Sequence, residues 1–170
     1  MGPVLNLQVS TKDEMGLLGI TTAISKEADT DNQTQNIFLY YTHCISDTDC
    51  NNFVYRYIWD NRQGNLTHPF QLLKLPALPG PSHQGGDITV GPDGYLYIAI
   101  GDMTPTKLFN KDKRYETKAQ NYQDGQQPDG RAGILRITQD GKPVDGGIIG
   151  ASYPLNLYYA YGIKNSFGTV

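Results

Sequence analysis

The sequence predicts an all-β fold, a partial β-propeller of four-stranded antiparallel blades, and three observations point to it. Glycine (19) and tyrosine (12) are abundant and only 18% of the residues are charged, a mixture that favours short strands and tight turns. Apolar residues follow strand-like periodicity. The strand series begins again after roughly 70 residues, and repeated groups of four strands are typical of propellers. A β-sandwich with the same strand count is the alternative, because periodicity alone does not separate the two folds.

The first predicted unit spans residues 3–79 and contains four strands. They are Leu17–Ile24, Asn36–His43, Asn52–Asp60 and His68–Pro76. The third strand alternates most clearly and places four aromatic residues on one face: Phe53, Tyr55, Tyr57 and Trp59. We expect these rings to form blade core rather than a sugar platform. The fourth strand has prolines near its ends, as edge strands do.

The second predicted unit spans residues 80–150. Strands are expected at 85–90, 95–102 and 132–138, with a weaker fourth strand in "PVDGGIIG" (143–150). "GPDG" and "QDGK" provide turn signals between strands. Two polar loops are predicted, one at 25–35 and a longer one at 103–131.

The segment 151–170 contains "LYYAYGIKNSFG" and is predicted to open a third unit. Two to three blades are fewer than the four to eight that close a propeller. We therefore expect another chain, or a missing C-terminal half, to complete the ring.

Charge and hydropathy exclude two classes of partner. A net charge of −3 leaves no basic footprint for nucleic acid. No window approaches the ~20 apolar residues of a membrane span. The opening segment "MGPVLNLQVS" lacks the charged and apolar regions of a signal peptide.

The two cysteines, Cys44 and Cys50, flank a polar turn between two predicted strands. Three states are compatible with this spacing. Opposite positions of a hairpin favour a disulfide, which would indicate an oxidising compartment. Free thiols are the second possibility. A zinc site with His43 is the third, although structural zinc sites usually have tighter cysteine spacing and a second ligand pair.

Five sequence blocks occur in a fixed order: "EMGLLGI", "IFLYYTH", "HQGGDITVGPDGYLYIAIGD", "GILRITQDGKP" and "YAYGIKNSFG". From about Pro3 to Val170 the series resembles the N-terminal half of the soluble quinoprotein glucose/sorbosone dehydrogenases, also called PQQ-dependent aldose sugar dehydrogenases. The resemblance implies a six-bladed propeller with pyrroloquinoline quinone (PQQ) at the top of its channel. It further implies oxidation of an aldose sugar at C1 to a lactone, an electron acceptor, an extracellular or periplasmic location, and Ca²⁺ whose ligands lie outside this chain.

The resemblance also assigns roles to individual residues. His83, in "HQGG", matches the catalytic histidine, and an imidazole suits proton removal near neutral pH while hydride leaves for the quinone. Glu14, before "GLLG", matches a residue that lines the sugar site. Lys164 and Asn165, in "GIKNSFG", match residues that contact the quinone. Asp102, at the end of "IAIGD", is a candidate either for binding a metal ion or for a hydrogen bond in its turn.

Three residues depart from the family pattern. Ser82 stands where many members have an acidic residue, Asp87 where arginine is frequent, and Lys164 where the motif has arginine. Lysine keeps the charge but lacks the planar fork that contacts carbonyls in pairs. These departures favour an alternative function, a non-catalytic propeller fragment that acts as a binding or assembly module and has lost PQQ. In that case His83, Glu14 and Lys164 are ordinary surface residues.

Overall fold

The computed structural model describes residues 2–24, 34–103 and 127–168. Within these ranges, eight strands form two antiparallel sheets of four strands each. Both predicted polar loops, at 25–35 and 103–131, lie for most of their length outside the described residues. No helix in the described part of the chain combines the length and the apolar character needed to cross a bilayer.

The first sheet is an up-and-down meander in which neighbours in sequence are neighbours in space. Its strands are β1 (Leu17–Ile24), β2 (Gln35–Ser46), β3 (Asp49–Asp60) and β4 (Asn65–Pro76), in the spatial order β1-β2-β3-β4. Strand β4, which contains Pro69 and ends at Pro76, lies at the edge of the sheet, as its prolines predict.

The second sheet repeats this arrangement with shorter strands. They are β5 (Gly85–Val90), β6 (Leu96–Ile100), β7 (Gly133–Ile137) and β8 (Tyr158–Tyr161), in the order β5-β6-β7-β8. A single turn of 3₁₀-helix, Leu155–Leu157, leads into β8. The predicted "GPDG" turn forms between β5 and β6, where Gly94 N–H donates to the Gly91 carbonyl at 2.8 Å.

The fourth strand of the second sheet lies elsewhere than predicted. Segment 143–150 forms only an isolated bridge, between Pro143 and Ile137, and Ile148 is 57% exposed. Tyr158–Tyr161, predicted to begin a third unit, pairs with β7 instead. Three glycines within 143–150 weaken its strand propensity, whereas tyrosine favours strands. The correction extends the second sheet beyond residue 150.

One hydrophobic core fills the space between the two sheets. Phe38 and Tyr40 from β2 meet Ile98 and Leu135 from the second sheet, and all four side chains are fully buried. Burial of an aliphatic or aromatic side chain of this size stabilises a fold by about 1.5–3 kcal/mol. The two sheets therefore stabilise each other through a shared core.

The first strands of the two sheets lie side by side. A Cβ atom added to Gly19 in β1 would lie 2.9 Å from the Gly86 carbonyl oxygen in β5, so the two backbones approach where side chains are absent. Adjacent first strands and an up-and-down order within each sheet characterise consecutive propeller blades, whereas immunoglobulin-type sandwiches use Greek-key connections. The partial propeller is confirmed.

The other face of the first sheet carries the predicted aromatic residues. Phe53, Tyr55 and Tyr57 pack with one another and with Tyr41 of β2, with ring centroids 5.8–6.2 Å apart, and Trp59 packs against the same cluster. Residues of the segment 5–9 cover part of this face. These rings pack within the protein, as expected for blade core.

A disulfide joins Cys44 and Cys50 across the β2–β3 hairpin. The two residues face each other in the strand register, with their Cα atoms 4.0 Å apart. This linkage excludes the free-thiol and zinc alternatives. The bridge packs beside Met15 and Ala77 in a small apolar cluster.

Candidate active site

His83 lies in the loop that enters β5, and its backbone is in the left-handed region with φ of 58°. Its carbonyl accepts a hydrogen bond from Met103 N–H at 3.3 Å. Gly101 passes so close that a Cβ there would overlap the His83 carbonyl oxygen. Only glycine permits this contact, so the end of β6 fixes the position of the histidine backbone.

Asp102 is the side-chain partner of His83. His83 Nδ1 and Asp102 Oδ1 are 2.9 Å apart. The Asp102 side chain is fully buried, while 13% of the His83 side chain is exposed. Because a carboxylate accepts hydrogen bonds, the shared proton belongs on Nδ1, and Nε2 is the ring nitrogen able to take another proton.

Glu14 reaches the same loop from the N-terminal segment. Its Oε2 accepts the His83 backbone N–H at 2.6 Å and an Asn165 Nδ2–H at 3.1 Å. Asn165 in turn accepts Gly85 N–H at its Oδ1, also at 3.1 Å. Glu14 thus contacts both His83 and Asn165, although 151 positions separate it from the asparagine.

Gln84 organises the buried side of the loop, and no sequence pattern singles it out. Its Nε2 donates to the carbonyls of Ala77 and Gly80 at 3.1 and 2.9 Å. Its Oε1 accepts from Asn52 Nδ2 at 2.8 Å. The side chain is fully buried, so these bonds tie the loop to β3.

Ser82, the residue that departs from the family pattern, is fully buried and donates to Asp13. The Ser82 Oγ and Asp13 Oδ2 atoms are 2.6 Å apart. A carboxylate therefore contacts this position even though the residue itself is not acidic. Asp13 supplies it from 69 residues earlier in the chain.

Lys164 contributes its backbone to the site. Its carbonyl oxygen accepts Asp102 N–H at 2.9 Å, and the residue as a whole is exposed. Asp87 lies within β5, opposite Ala99 of β6. Among the described residues, no three His, Cys, Asp or Glu side chains form a cluster suited to a metal ion. The Asp102 side chain bonds His83, 19 residues away, which is neither the metal role nor the hydrogen bond within its own turn that the sequence suggests.

The structure brings together His83, Glu14, Asp102 and Asn165, all of which sequence patterns indicate, and places the Lys164 backbone beside them. Sequence patterns do not indicate the pairing of Asp102 with His83, or the contacts of Gln84 and Asp13. A polar residue directly after an apolar strand, as in "IAIGD", is the one signal that the sequence offers for Asp102. Nothing in the local pattern identifies a partner that lies tens of residues away.

Comparisons with known proteins now add to this geometry. The family profile described as Glucose / Sorbosone dehydrogenase matches residues 2–170. The comparison with curated proteins found no match. Together, the partial propeller fold and the profile match define a propeller protein of the sugar dehydrogenase class. The chain belongs to the glucose/sorbosone dehydrogenase family.

Solved structures agree with this family membership. A Thermus thermophilus oxidoreductase described as a glucose dehydrogenase is 26% identical, with a TM-score of 0.65 over 95% of this chain. The PQQ-bound aldose sugar dehydrogenase of Streptomyces coelicolor is 29% identical, with a TM-score of 0.59 over 92%. The soluble aldose sugar dehydrogenase of Escherichia coli, in its apo-form, is 19% identical with a TM-score of 0.68 over 97% and shows the fold alone.

The chain spans less than half the length of these relatives. It covers 43% of the Thermus protein, 39% of the Streptomyces protein and 43% of the Escherichia coli protein.

Proposed function

We propose that this chain is part of a PQQ-dependent dehydrogenase that oxidises an aldose sugar at C1 to the lactone, with His83 as the base. The observation that carries the proposal is the 2.9 Å contact between His83 Nδ1 and a fully buried Asp102 carboxylate. A carboxylate in this position orients an imidazole and stabilises the imidazolium that forms when Nε2 takes a proton.

The chain's own residues would act on the proton. The C1 hydroxyl gives its proton to His83 Nε2, while the C1–H bond breaks and its electron pair leaves as hydride. The C1–O bond becomes the carbonyl of the lactone. Bound PQQ would supply the hydride acceptor, and a separate electron acceptor would reoxidise it.

Lys164, an exposed residue beside the site, is a cation that could serve a quinone that carries carboxylates. The Lys164 ammonium would act as a point charge toward such a group, a role that needs no planar fork. Asn165 already hydrogen-bonds Glu14 and Gly85, so it would mainly hold the surrounding loop in place. Calcium ligands would come from outside this chain, in keeping with the resemblance.

An extracellular or periplasmic location is part of the proposal. The Cys44–Cys50 disulfide supports it, because such bonds persist in oxidising compartments.

The test uses the intact protein with PQQ and Ca²⁺, followed by quinone absorbance and sugar-dependent reduction of an artificial acceptor. His83→Asn should keep the fold, since asparagine tolerates positive φ, and should lower kcat by about 10²–10⁴-fold. His68→Asn is the matched control, because His68 also has positive φ (51°) but is exposed. Equal turnover in the two variants would assign the base to another residue.

A second candidate function is a non-catalytic binding or assembly module. The observations that favour it are lysine at position 164 and serine at position 82. This candidate predicts that the intact protein leaves the PQQ spectrum unchanged at any Ca²⁺ concentration. Quinone binding with sugar turnover would exclude it.

A further inference from the structure

We propose that Glu14 is a positioning residue, whose carboxylate holds the His83 backbone in the conformation that brings the imidazole to Asp102. The inference deepens the proposed function and rests on the role of His83 as a base. It gives Glu14 a task different from the sugar contact that the resemblance implies.

The first step is the conformation of His83. A non-glycine residue at a φ of 58° sits in a sparsely populated region, at a cost of order 1–3 kcal/mol that the surroundings must offset. The Met103 N–H contact, at 3.3 Å, is long for a hydrogen bond to the His83 carbonyl. The bond on the other side of the residue, from His83 N–H to Glu14 Oε2, is 2.6 Å long. The shorter, charge-assisted bond is therefore the stronger restraint.

The second step is the occupancy of the Glu14 carboxylate. Oε2 accepts two donors, His83 N–H and Asn165 Nδ2–H. One carboxylate oxygen offers about two acceptor sites, so these two bonds saturate Oε2. A sugar hydroxyl would have to displace one of them to bind this atom. Glu14 therefore acts as an internal brace, meaning a carboxylate that links the His83 loop to Asn165 through two hydrogen bonds.

The third step is that the brace is itself held on both sides. Gly85, two residues after His83, donates its backbone N–H to Asn165 Oδ1 at 3.1 Å. Met15, next to Glu14, is buried against the disulfide hairpin. The carboxylate is thus fixed from the N-terminal segment and from the segment that follows β8. A positioned acceptor of this kind loses little entropy when it orders its partner.

The first test reads the His83 backbone directly and needs neither sugar nor PQQ. The intact protein is labelled with ¹⁵N-histidine, and His83→Asn identifies the His83 amide signal by its loss. A short bond to a carboxylate should move this amide proton far downfield and protect it from exchange. Glu14→Ala should remove both effects, and Glu14→Gln, which keeps an acceptor oxygen without the charge, should reduce them.

Asp47→Asn is the matched control, because Asp47 is an exposed carboxylate whose only described contact is a surface pairing with Lys12 at 3.7 Å. It should leave the His83 amide unchanged. The imidazole ¹⁵N shifts give a second signature. The wild-type protein should show one tautomer, with the proton on Nδ1, and Glu14→Ala should show averaging of the two tautomers. If Glu14→Ala does not fold, Glu14→Gln decides.

The second test separates positioning from sugar binding. A positioning role predicts that Glu14→Gln lowers kcat by about 10–100-fold with little change in the KM for sugar. A raised KM at unchanged kcat would make Glu14 a sugar ligand and overturn the proposal. A folded Glu14→Gln or Glu14→Ala protein with an unchanged His83 amide would also overturn it.

The two proposals can fail separately. If Glu14→Ala loses the downfield His83 amide signal but the protein never binds PQQ, the positioning role of Glu14 is upheld and the proposed dehydrogenase activity is rejected. If sugar turnover depends on His83 but the His83 amide signal does not change in the Glu14 variants, the dehydrogenase activity is upheld and the positioning role of Glu14 is rejected.

Discussion

At the scale of single residues, the site depends on how closely two backbones approach. The His83 carbonyl lies against the α-carbon of Gly101, in the space where any other residue would carry Cβ. The same approach lets Asp102, the next residue, reach the imidazole. Glycine at 101 is therefore a requirement of the site, independent of any direct chemical role.

Gly101→Ala should be strongly destabilising, because the new Cβ would overlap a carbonyl oxygen and the backbone would have to move. We expect a loss of about 3 kcal/mol in the free energy of unfolding, measured by urea titration, together with loss of the His83 amide signature. Gly168→Ala is the control, since nothing lies within 4 Å of its added Cβ. Equal stability of the two variants would contradict the close approach.

The sequence locates His83 but not its surroundings. Its place in the "HQGG" block before a strand indicates a loop at the rim of the sheet, and this is where the residue lies. Its contacts with Glu14 and Asp102 depend on how three distant segments meet. Hydrogen-bond partners 19 and 69 residues away leave no periodic trace in a chain.

At the scale of elements, strand existence is easier to predict than strand pairing. Alternating residues place β3 correctly, because its two faces pack in different surroundings: Val54 lies in the core between the sheets and Tyr57 in the aromatic cluster on the other face. "YYAY" is likewise strand-like, but the sequence predicts it to begin a third unit, whereas it pairs with β7. The difference arises because composition favours a strand without specifying which edge it joins, and here the free edge of β7 accepts it.

The β2–β3 hairpin is connected indirectly to the candidate active site. Its disulfide packs against Met15, whose neighbour Glu14 contacts the His83 loop. Cys44→Ala/Cys50→Ala should lower the free energy of unfolding by about 2 kcal/mol, the loop-closure term for a short loop. Urea unfolding measures this loss. Dithiothreitol should lower the free energy of unfolding of the wild-type protein but not that of the double variant.

The same variant should also weaken the downfield shift of the His83 amide, because Met15 loses part of its support. An unaltered amide in a destabilised double variant would show that the hairpin stabilises the fold without acting on the site.

At the scale of the whole molecule, tyrosine hydroxyls bind the two sheets to their loops. Tyr40 donates to the Gln84 carbonyl at 3.2 Å, across the space between the sheets. Tyr158 donates to the Arg131 carbonyl at 2.7 Å and accepts Gly130 N–H at 2.8 Å. Both rings are buried, and burial raises the pKa of each phenol far above its usual value. The neutral phenols are thus part of the folded state.

This burial predicts that the protein loses stability in alkali. Phenols of the unfolded chain ionise near pH 10, whereas those of Tyr40 and Tyr158 stay protonated in the fold because their pKa values are raised. Their contribution is therefore complete below pH 10 and declines as the pH rises above it. At pH 11 the free energy of unfolding should be lower than at pH 8 by about 1.4 kcal/mol for each of these two phenols. Urea titration from pH 8 to 11 measures this decrease.

Tyr40→Phe isolates one phenol from the rest. The variant should be less stable by about 1 kcal/mol at pH 8, because the hydrogen bond to Gln84 is lost. It should then lose less stability than the wild-type protein between pH 8 and 11, so that the two curves converge. Tyr159→Phe is the control, since it removes the hydroxyl of a residue that is 49% exposed and leaves both buried phenols in place. Parallel curves for the wild-type protein and Tyr40→Phe would mean that the Tyr40 phenol ionises as readily in the folded state as in the unfolded chain.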